Sequence, residues 1–227
     1  MKNILSCSDL TGGYGDTKVV FDISVQLGGG EILGIFGRNG VGKSTLAKLL
    51  AGHLLPGAGE VHINGARAGH LGPHQRHDIG VGYMPQTGMI FDGLTVNENL
   101  SIGEVDKNRD EYFELFPKLA ERLDQKAGSM SGGERKILGF VRAMLDDTII
   151  TILDEPSEGV QPENIAHMET CLRNKQKAGH AFILIEQNLN LLLPVSDQLL
   201  GLESGEVKFR RPALDTTRDQ IVDFLAI

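Results

Sequence analysis

The sequence from residue 37 to residue 45 reads Gly37-Arg38-Asn39-Gly40-Val41-Gly42-Lys43-Ser44-Thr45. This is the pattern G-x-x-x-x-G-K-[ST], in which the glycines let the backbone curl until successive N–H groups face one anion. Lys43 adds a positive charge for the outer phosphates, and the hydroxyl of Ser44 is a ligand for Mg²⁺. We therefore expect this whole stretch to bind a nucleoside triphosphate.

The residues on either side of the loop fit this interpretation. Ile32–Phe36 is a short apolar run suited to a buried strand, and Ser44–Ala51 has helical spacing that stops at Gly52. A strand, a glycine-rich loop and a helix N-terminus in that order direct free amides and the helix dipole at a phosphate. A chance glycine turn before a helix is the alternative, and the flanking context speaks against it.

A second apolar run ends in two carboxylates. Residues 148–153 predict a buried strand, and Asp154 and Glu155 follow at its carboxyl end, where parallel sheets bind ligands. We expect Asp154 to hold Mg²⁺ directly or through water, and Glu155 to polarise the water that attacks the γ-phosphate. A strand end that merely caps the next turn is the alternative for an isolated Asp-Glu pair.

A third motif opens a predicted helix. Met130 is followed by Ser131, Gly132, Gly133 and Glu134, a capping box that contains two glycines. A plain helix cap needs the serine and the glutamate but not the glycines, which cost conformational entropy. We interpret the motif as a second backbone anion site, which serves the other face of a sandwiched nucleotide.

The order of predicted elements indicates an α/β fold. We expect a phosphate-loop nucleoside-triphosphatase core with a mostly parallel sheet, together with an N-terminal antiparallel β subdomain and an α-helical insertion. All three would form one domain of residues 1–227, with the core in 1–86 and 146–227 and the insertion in 87–145. The predicted strands are 4–10, 19–27, 32–36, 60–65, 79–84, 148–153 and 181–185.

Composition narrows the class of protein. The chain has 227 residues, a net charge of −8 and a pI near 5.4, which argue against a nucleic-acid partner bound through its phosphates. Cys7 and Cys171 have no metal-binding or redox spacing and suit a reducing cytoplasm. No apolar run approaches the ~20 residues that cross a bilayer. We therefore expect a soluble cytoplasmic protein.

Three histidines, His70, His74 and His77, invite a metal-site interpretation. Gly72-Pro73 lies between them and is expected to break any helix that would align them, and no carboxylate stands suitably beside them. The sequence therefore predicts a polar surface loop at this position.

Together the motifs resemble those of the ATP-binding-cassette (ABC) ATPases, over essentially the whole chain. In that family residues 37–45 match the Walker A loop, 130–134 the signature motif, and Asp154 and Glu155 the Walker B aspartate and the catalytic glutamate. Tyr14 matches the aromatic residue that stacks on adenine. Gln86 matches the glutamine of the Q-loop, which senses Mg²⁺ and the γ-phosphate.

The resemblance implies what the protein binds and how it assembles. ATP and Mg²⁺ are the implied ligands, with Ser44, Gln86 and Asp154 around the metal. The family also implies a head-to-tail dimer, in which each ATP lies between the Walker A loop of one subunit and the signature motif of the other. The partner subunit would be a second copy of this chain or a sister ATPase.

Two positions depart from the commonest family pattern. Gln161 stands where most cassettes have the D-loop aspartate, and Gln187 stands where most have the switch histidine. Both departures resemble the second ATPase subunit of importers for hydrophobic amino acids and for urea or short-chain amides. The loop at 37–43 and the run at 84–86 look more like the urea and amide branch.

Gln187 is neutral, so it can hydrogen-bond the γ-phosphate or the attacking water but cannot carry a positive charge. We expect it to act with Glu155 and Gln86 as the catalytic set. The alternative is that Gln187 only caps the segment 188–195.

An importer subunit is the leading functional hypothesis. It would sit at the cytoplasmic face of the inner (plasma) membrane against permease subunits, with a periplasmic or extracellular solute-binding protein acting indirectly. Phe91, Leu94 and Val96 are candidates for the groove that receives a permease helix, although ordinary core packing fits the last two equally well. A soluble cassette that remodels DNA or ribosomes, and a regulatory ABC ATPase with low intrinsic hydrolysis, are the alternatives.

Overall fold

Two β-sheets and the helices packed around them form the described part of the chain. The computed structural model describes residues 3–87, 89–103 and 108–226. The strands are β1 Asn3–Tyr14, β2 Thr17–Gly28, β3 Ile32–Phe36, β4 Ala58–Ile63, β5 Ala66–Arg67, β6 Val81–Met84, β7 Ile150–Asp154, β8 Ala181–Ile185, β9 Gln198–Glu203 and β10 Glu206–Pro212. The helices are α1 Lys43–Ala51, α2 Pro73–Asp78, α3 Val96–Leu100, α4 Asp110–Leu115, α5 Pro117–Ala120, α6 Gly132–Leu145, α7 Pro162–Lys177, α8 Leu189–Val195 and α9 Arg218–Ala226.

The larger sheet has the strand order β10-β9-β3-β8-β7-β6. Strands β6, β7, β8, β3 and β9 run parallel, and β10 joins β9 as an antiparallel edge. Every residue of β3, β7 and β8 is buried, as expected for parallel strands covered on both faces. The carboxyl ends of β3, β6, β7 and β8 therefore meet at one edge of the sheet, where the predicted site residues follow them.

The smaller sheet, in the order β2-β1-β4-β5, is antiparallel throughout. It packs against the larger sheet through a shared apolar cluster that includes Leu5, Val61, Leu46 and Ile152. This arrangement confirms the predicted α/β fold with an N-terminal antiparallel sheet. Helices α3 to α6 lie between β6 and β7 along the chain, where the sequence predicts the insertion.

Helix α1, which starts at the phosphate loop, is anchored at its other end by Arg76. This arginine is fully buried, and its guanidinium donates to the carbonyls of Leu49, Leu50 and Gly69. Burial lowers the pKa of Arg76 to about 10. The last turn of α1 is thus capped from α2, and Gly52 ends the helix in the left-handed conformation.

The prediction of a loop around His74 and His77 was wrong. Pro73 is the first residue of α2 and Gly72 is its N-cap, so the dipeptide starts a helix instead of breaking one. His77 pairs with Asp146 at 2.9 Å, and His74 lies 3.8 Å from Asp78. The sequence also left the hairpin β9–β10 and the last two helices unpredicted. In the described ranges, no helix is long and apolar enough to span a membrane.

Candidate nucleotide-binding site

The phosphate loop ends in a helix whose first amides are left for a ligand. Gly42 is the N-cap of α1 with φ 105°, a conformation that favours glycine. No side chain caps this helix, and its first turn contains no acidic residue. The first-turn amides have no partner inside an α-helix, so they and the positive end of the dipole face the loop.

Lys43 is buried at the base of the loop, with 5% of its surface exposed. Its ammonium donates to the carbonyls of Gly37 at 2.9 Å and Arg38 at 3.0 Å, and lies 3.7 Å from Oε1 of Glu155. Burial lowers the pKa of Lys43, while the nearby carboxylates, Glu155 first, oppose that shift. A buried cation therefore connects the loop to the end of β7.

The structure brings Glu155 and the two predicted glutamines into contact. Nε2 of Gln86 donates to Oε2 of Glu155 at 2.9 Å, and Nε2 of Gln187 donates to Oε1 at 2.7 Å. Gln187 also donates to Oδ1 of Asn39 in the phosphate loop at 2.7 Å. One carboxylate is thus held between the ends of β3, β6 and β8.

The amide of Gln187 does not cap the helix that follows. Asn188 is the N-cap of α8, and its side chain accepts from the amide of Asn190 at 3.0 Å. The Gln187 side chain is directed at Glu155 and the phosphate loop. The geometry therefore favours a role in the nucleotide site over the capping alternative.

Asp154 has the features of a cation ligand. It is 1% exposed, and its Oδ1 has no hydrogen-bond partner among the described residues. Burial raises the pKa of Asp154, while the Ser44 hydroxyl and the charges of Lys43 and Lys136 lower it. Because a buried carboxylate oxygen without a donor is costly, an oxygen-preferring cation such as Mg²⁺ fits here beside the Ser44 hydroxyl.

A cleft of about 710 Å³, which is large enough for a nucleotide, lies over Lys43, Ser44 and Glu155. Val19 and residues of the phosphate loop line it, together with Gln86, Glu155 and Gln187. Tyr14 lies outside the cleft and is 49% exposed. Its hydroxyl accepts from the ammonium of Lys48 at 3.1 Å, and this bond lowers the pKa of Tyr14.

The predicted capping box at the start of α6 is confirmed. Oγ of Ser131 accepts from the amide of Glu134 at 3.3 Å, and the amide of Ser131 donates to Oε2 of Glu134 at 2.9 Å. This last bond is the main reason that the pKa of Glu134 is lowered. The amides of Gly132 and Gly133 make no hydrogen bond within the described ranges. They remain available to an anion.

The packing within this chain requires glycine at one of the two glycine positions of the motif but not at the other. A Cβ on Gly133 would lie 2.5 Å from the carbonyl oxygen of Gly159, so close packing on the loop before α7 demands glycine there. A Cβ on Gly132 would meet nothing within 4 Å. The motif borders a separate cavity of about 290 Å³ beside Gln161, so the structure does not bring it to the phosphate loop of the same chain.

Sequence reasoning missed three charged residues around the site. Glu186 is 2% exposed and accepts from the amides of Ser157, Gln187 and Asn188, so it holds two loops together. Its position directly after the apolar strand β8 is a sequence signal from which a functional carboxylate could have been predicted. Glu158 and Lys136, which contact Gln86 and the end of β7, carry no comparable signal.

The family model described as ABC transporter matches residues 20–158 of this chain. The chain belongs to the ABC transporter family. It is 34% identical over 211 residues to the high-affinity branched-chain amino acid transport ATP-binding protein BraG of Pseudomonas aeruginosa, covering 90% of this chain and 91% of BraG. It is also 34% identical over 212 residues to the probable branched-chain amino acid transport ATP-binding protein LivF of Archaeoglobus fulgidus, covering 90% of each.

Solved structures agree with this membership. A crystal structure of an ATP-binding cassette of an ABC transporter matches with a TM-score of 0.84 at 25% identity, covering 100% of both chains. The family resemblance drawn from the motifs is confirmed, and the chain is an ATP-binding ATPase of the ABC family.

Proposed function

We propose that this ABC ATPase powers an importer for a small amino-acid-like solute: a branched-chain amino acid, urea or a short-chain amide. The observation that carries the hydrolytic part of the proposal is the set of contacts around Glu155, whose carboxylate meets Gln86, Gln187 and Lys43 beside the phosphate loop. Such a cluster joins a phosphate-binding cation to a carboxylate that can take a proton from water.

The choice of importer is supported by the relatives and by two positions in this chain. BraG and LivF carry names of branched-chain amino acid transport proteins. Gln161 and Gln187, which depart from the commonest cassette pattern, agree with the importers for hydrophobic amino acids, urea and amides. The run at 84–86 keeps the urea and amide branch among the candidates.

In the proposed site, residues 37–45 contact the triphosphate through their amides and through Lys43. The exposed ring of Tyr14 stacks on adenine, and its hydroxyl accepts from Lys48 of α1. Ser44, Gln86 and Asp154 would hold Mg²⁺, which when bound neutralises charge on the phosphates.

Hydrolysis then depends on residues already in contact. Glu155 takes the proton of the attacking water, and the amides of Gln86 and Gln187 fix the direction of its two oxygens. Lys43 is shared between loop carbonyls and Glu155, so a triphosphate in the loop competes for its charge and leaves the carboxylate able to accept a proton.

The signature residues Ser131, Gly132, Gly133 and Glu134 belong in this proposal to the site of a partner subunit, either a second copy or a sister ATPase. The amides of both glycines have no partner in the described chain. Gly132 also has open space where a Cβ would be, so its own fold does not require glycine there. A phosphate approaching from outside the chain would use both features.

Permease subunits at the cytoplasmic face of the membrane, with an external solute-binding protein behind them, complete the proposed assembly. Of the three apolar residues proposed to line the groove, Val96 is fully buried and Leu94 half-buried, which supports core packing for Val96. Phe91 is 54% exposed and lies 5.5 Å from the guanidinium of Arg142. Phe91 remains the candidate for contact with a permease helix.

Replacing Glu155 tests the proposal directly. Glu155→Gln keeps the size of the side chain and one oxygen acceptor of the cluster but removes the base, so we expect ATP to bind while turnover falls ~100-fold or more. Binding of labelled ATP and steady-state phosphate release measure the two effects. Glu203→Gln, an exposed carboxylate on β9, is the matched control and should keep the parental rate. Parental turnover in Glu155→Gln would remove Glu155 from catalysis.

Uptake by whole cells tests the solute and the assembly. Cells that produce this chain together with permease subunits shown to bind it are supplied with labelled leucine, urea or acetamide. We expect uptake of one of them to require the parental chain and to stop with Glu155→Gln. Uptake that is indifferent to this chain, together with negligible hydrolysis, would favour the regulatory alternative.

A further inference from the structure

Lys136 lies in the second turn of α6, the helix that begins with the signature motif and is called the signature helix below. Its side chain extends into the nucleotide site. Its ammonium donates to the backbone carbonyl of Glu155 at 2.8 Å and to that of Gln86 at 2.9 Å. A third acceptor, Oε2 of Glu158, lies at 3.6 Å. The side chain is 15% exposed, so a largely desolvated ammonium joins the loop after β6 to the loop after β7, which contains both Glu155 and Glu158.

The backbone at Glu155 needs such support. Glu155 has φ 51°, the left-handed region, which a residue with a side chain adopts only when its surroundings hold it there. The amide of Glu155 donates to the carbonyl of Ile185, and Lys136 binds its carbonyl. The peptide groups on both sides of the Glu155 Cα are thus fixed, and with them the direction in which its side chain leaves the backbone toward Gln86 and Gln187.

The same ammonium fixes the neighbouring glutamine. Gln86 follows β6 in the strand-end loop, and its carbonyl is bound by Lys136 while its side chain donates to Glu155. Lys136 therefore fixes the distance between the backbones of Gln86 and Glu155, whose side chains hydrogen-bond each other.

A simpler interpretation is a surface ion pair between Lys136 and Glu158. Glu158 is 57% exposed, and the pair is separated by 3.6 Å, so it contributes little by itself. The two short bonds to carbonyls are what make the burial of the ammonium tolerable. Both of these acceptors belong to the backbone of residues in the proposed catalytic set.

We propose that Lys136 is a positioning residue for ATP hydrolysis, which holds the backbones of Glu155 and Gln86 in the relation that their side chains need. The inference rests on the proposed function of Glu155. It adds a direct link from the signature helix to the hydrolytic carboxylate of the same chain. A shift of α6 would therefore change the geometry at Glu155 without passing through the nucleotide.

The test compares Lys136→Met with Lys136→Arg in the full-length chain, using ATP as the probe. Methionine keeps the length and packing of the side chain but removes the donors, so we expect kcat to fall ~10-fold or more while KM for ATP stays within about twofold. Arginine retains charge and donors and should restore kcat to within about threefold of the parent. A purely structural role predicts no such separation of kcat from KM.

Lys126→Met is the matched control, because Lys126 also donates to a backbone carbonyl, that of Gly93 at 2.8 Å, but lies away from the cleft. It should keep the parental kcat. If Lys136→Met unfolds below the assay temperature, Lys136→Gln, which keeps an NH2 donor group but no charge, replaces it and should show an intermediate loss of kcat. Parental kcat in the folded Met or Gln variant, or a loss that arginine fails to restore, would overturn the inference.

Glu155→Gln, assayed alongside, separates this inference from the function on which it rests. If Glu155→Gln is inactive and Lys136→Met is fully active, only the role of Lys136 is wrong. If Glu155→Gln hydrolyses ATP at the parental rate, the proposed site itself is wrong.

Discussion

Two helices of this protein begin in glycine-containing turns, and their surroundings differ. Helix α1 starts after Gly42 with no side-chain cap and no acid in its first turn, and its first residue, Lys43, is buried. Helix α6 starts after Ser131, which is exposed, and Glu134 puts a carboxylate into the capping box. One helix start is surrounded by buried charges, and the other is open to solvent and partly capped by its own chain.

This difference indicates which of the two helix N-termini can bind an anion without residues from another subunit. At α1, uncapped amides, a buried cation and the dipole all favour a phosphate. At α6, Glu134 already offsets the positive end of the dipole, and two amides remain. We therefore expect α1 to bind the nucleotide first, and α6 to contribute only when another subunit presents a bound nucleotide to it.

The largest effect is expected at α1. Lys43→Ala removes the buried cation, so ATP binding should weaken ~100-fold or more and hydrolysis should become undetectable. Isothermal titration with ATP and a phosphate-release assay measure both. Lys177→Ala, at the exposed end of α7, is the control and should match the parent. A Lys43→Ala variant that binds and hydrolyses ATP normally would break the contrast between the two helix starts.

A smaller effect is expected at Gln187, which connects the phosphate loop to Glu155. Gln187→Ala removes one oriented hydrogen bond next to developing charge and should lower kcat ~10-fold or more. Gln187→His should preserve or raise the rate, because imidazole supplies a hydrogen bond and charge. Steady-state rates in the assembled transporter decide this. Parental turnover in the alanine variant would reject a role in hydrolysis.

The smallest effect is expected at Tyr14, on the rim of the α1 site. Tyr14→Ala should weaken ATP binding by about 1–3 kcal/mol through lost stacking. Tyr14→Phe loses only the hydrogen bond from Lys48 and should bind like the parent, which separates the ring from its hydroxyl. Equilibrium titration with ATP gives both values. An unchanged dissociation constant for Tyr14→Ala would remove the ring from the site.

The sequence predicted the parts of the site that depend on short, contiguous patterns. The phosphate loop, the strand before Asp154 and the capping box at Ser131 are local, since each is set by residues a few positions apart. The contacts of Gln86 and Gln187 with Glu155 join strand ends far apart in the chain. The sequence predicted that these three residues share one site only through its resemblance to the ABC family.

Other features depend on contacts that no local pattern records. Arg76 anchors α1 from another helix, and Lys136 reaches the ends of β6 and β7 from α6. An arginine in the polar helix α2 and a lysine in α6 look like solvent-facing residues until the packing is known. At Pro73 the dipeptide was interpreted as a helix breaker, whereas proline at the first position starts a helix.

The central claim is that the α1 and α6 starts are two halves of one site supplied by different subunits. Lys43→Ala and Ser131→Arg should each be inactive in hydrolysis when purified alone, although Ser131→Arg should still bind ATP as the parent does. Mixed together, they form dimers in which one phosphate loop and one signature motif are both intact. We predict that the mixture recovers ATP hydrolysis. A mixture as inactive as its components, or a fully active Ser131→Arg chain, would contradict the account.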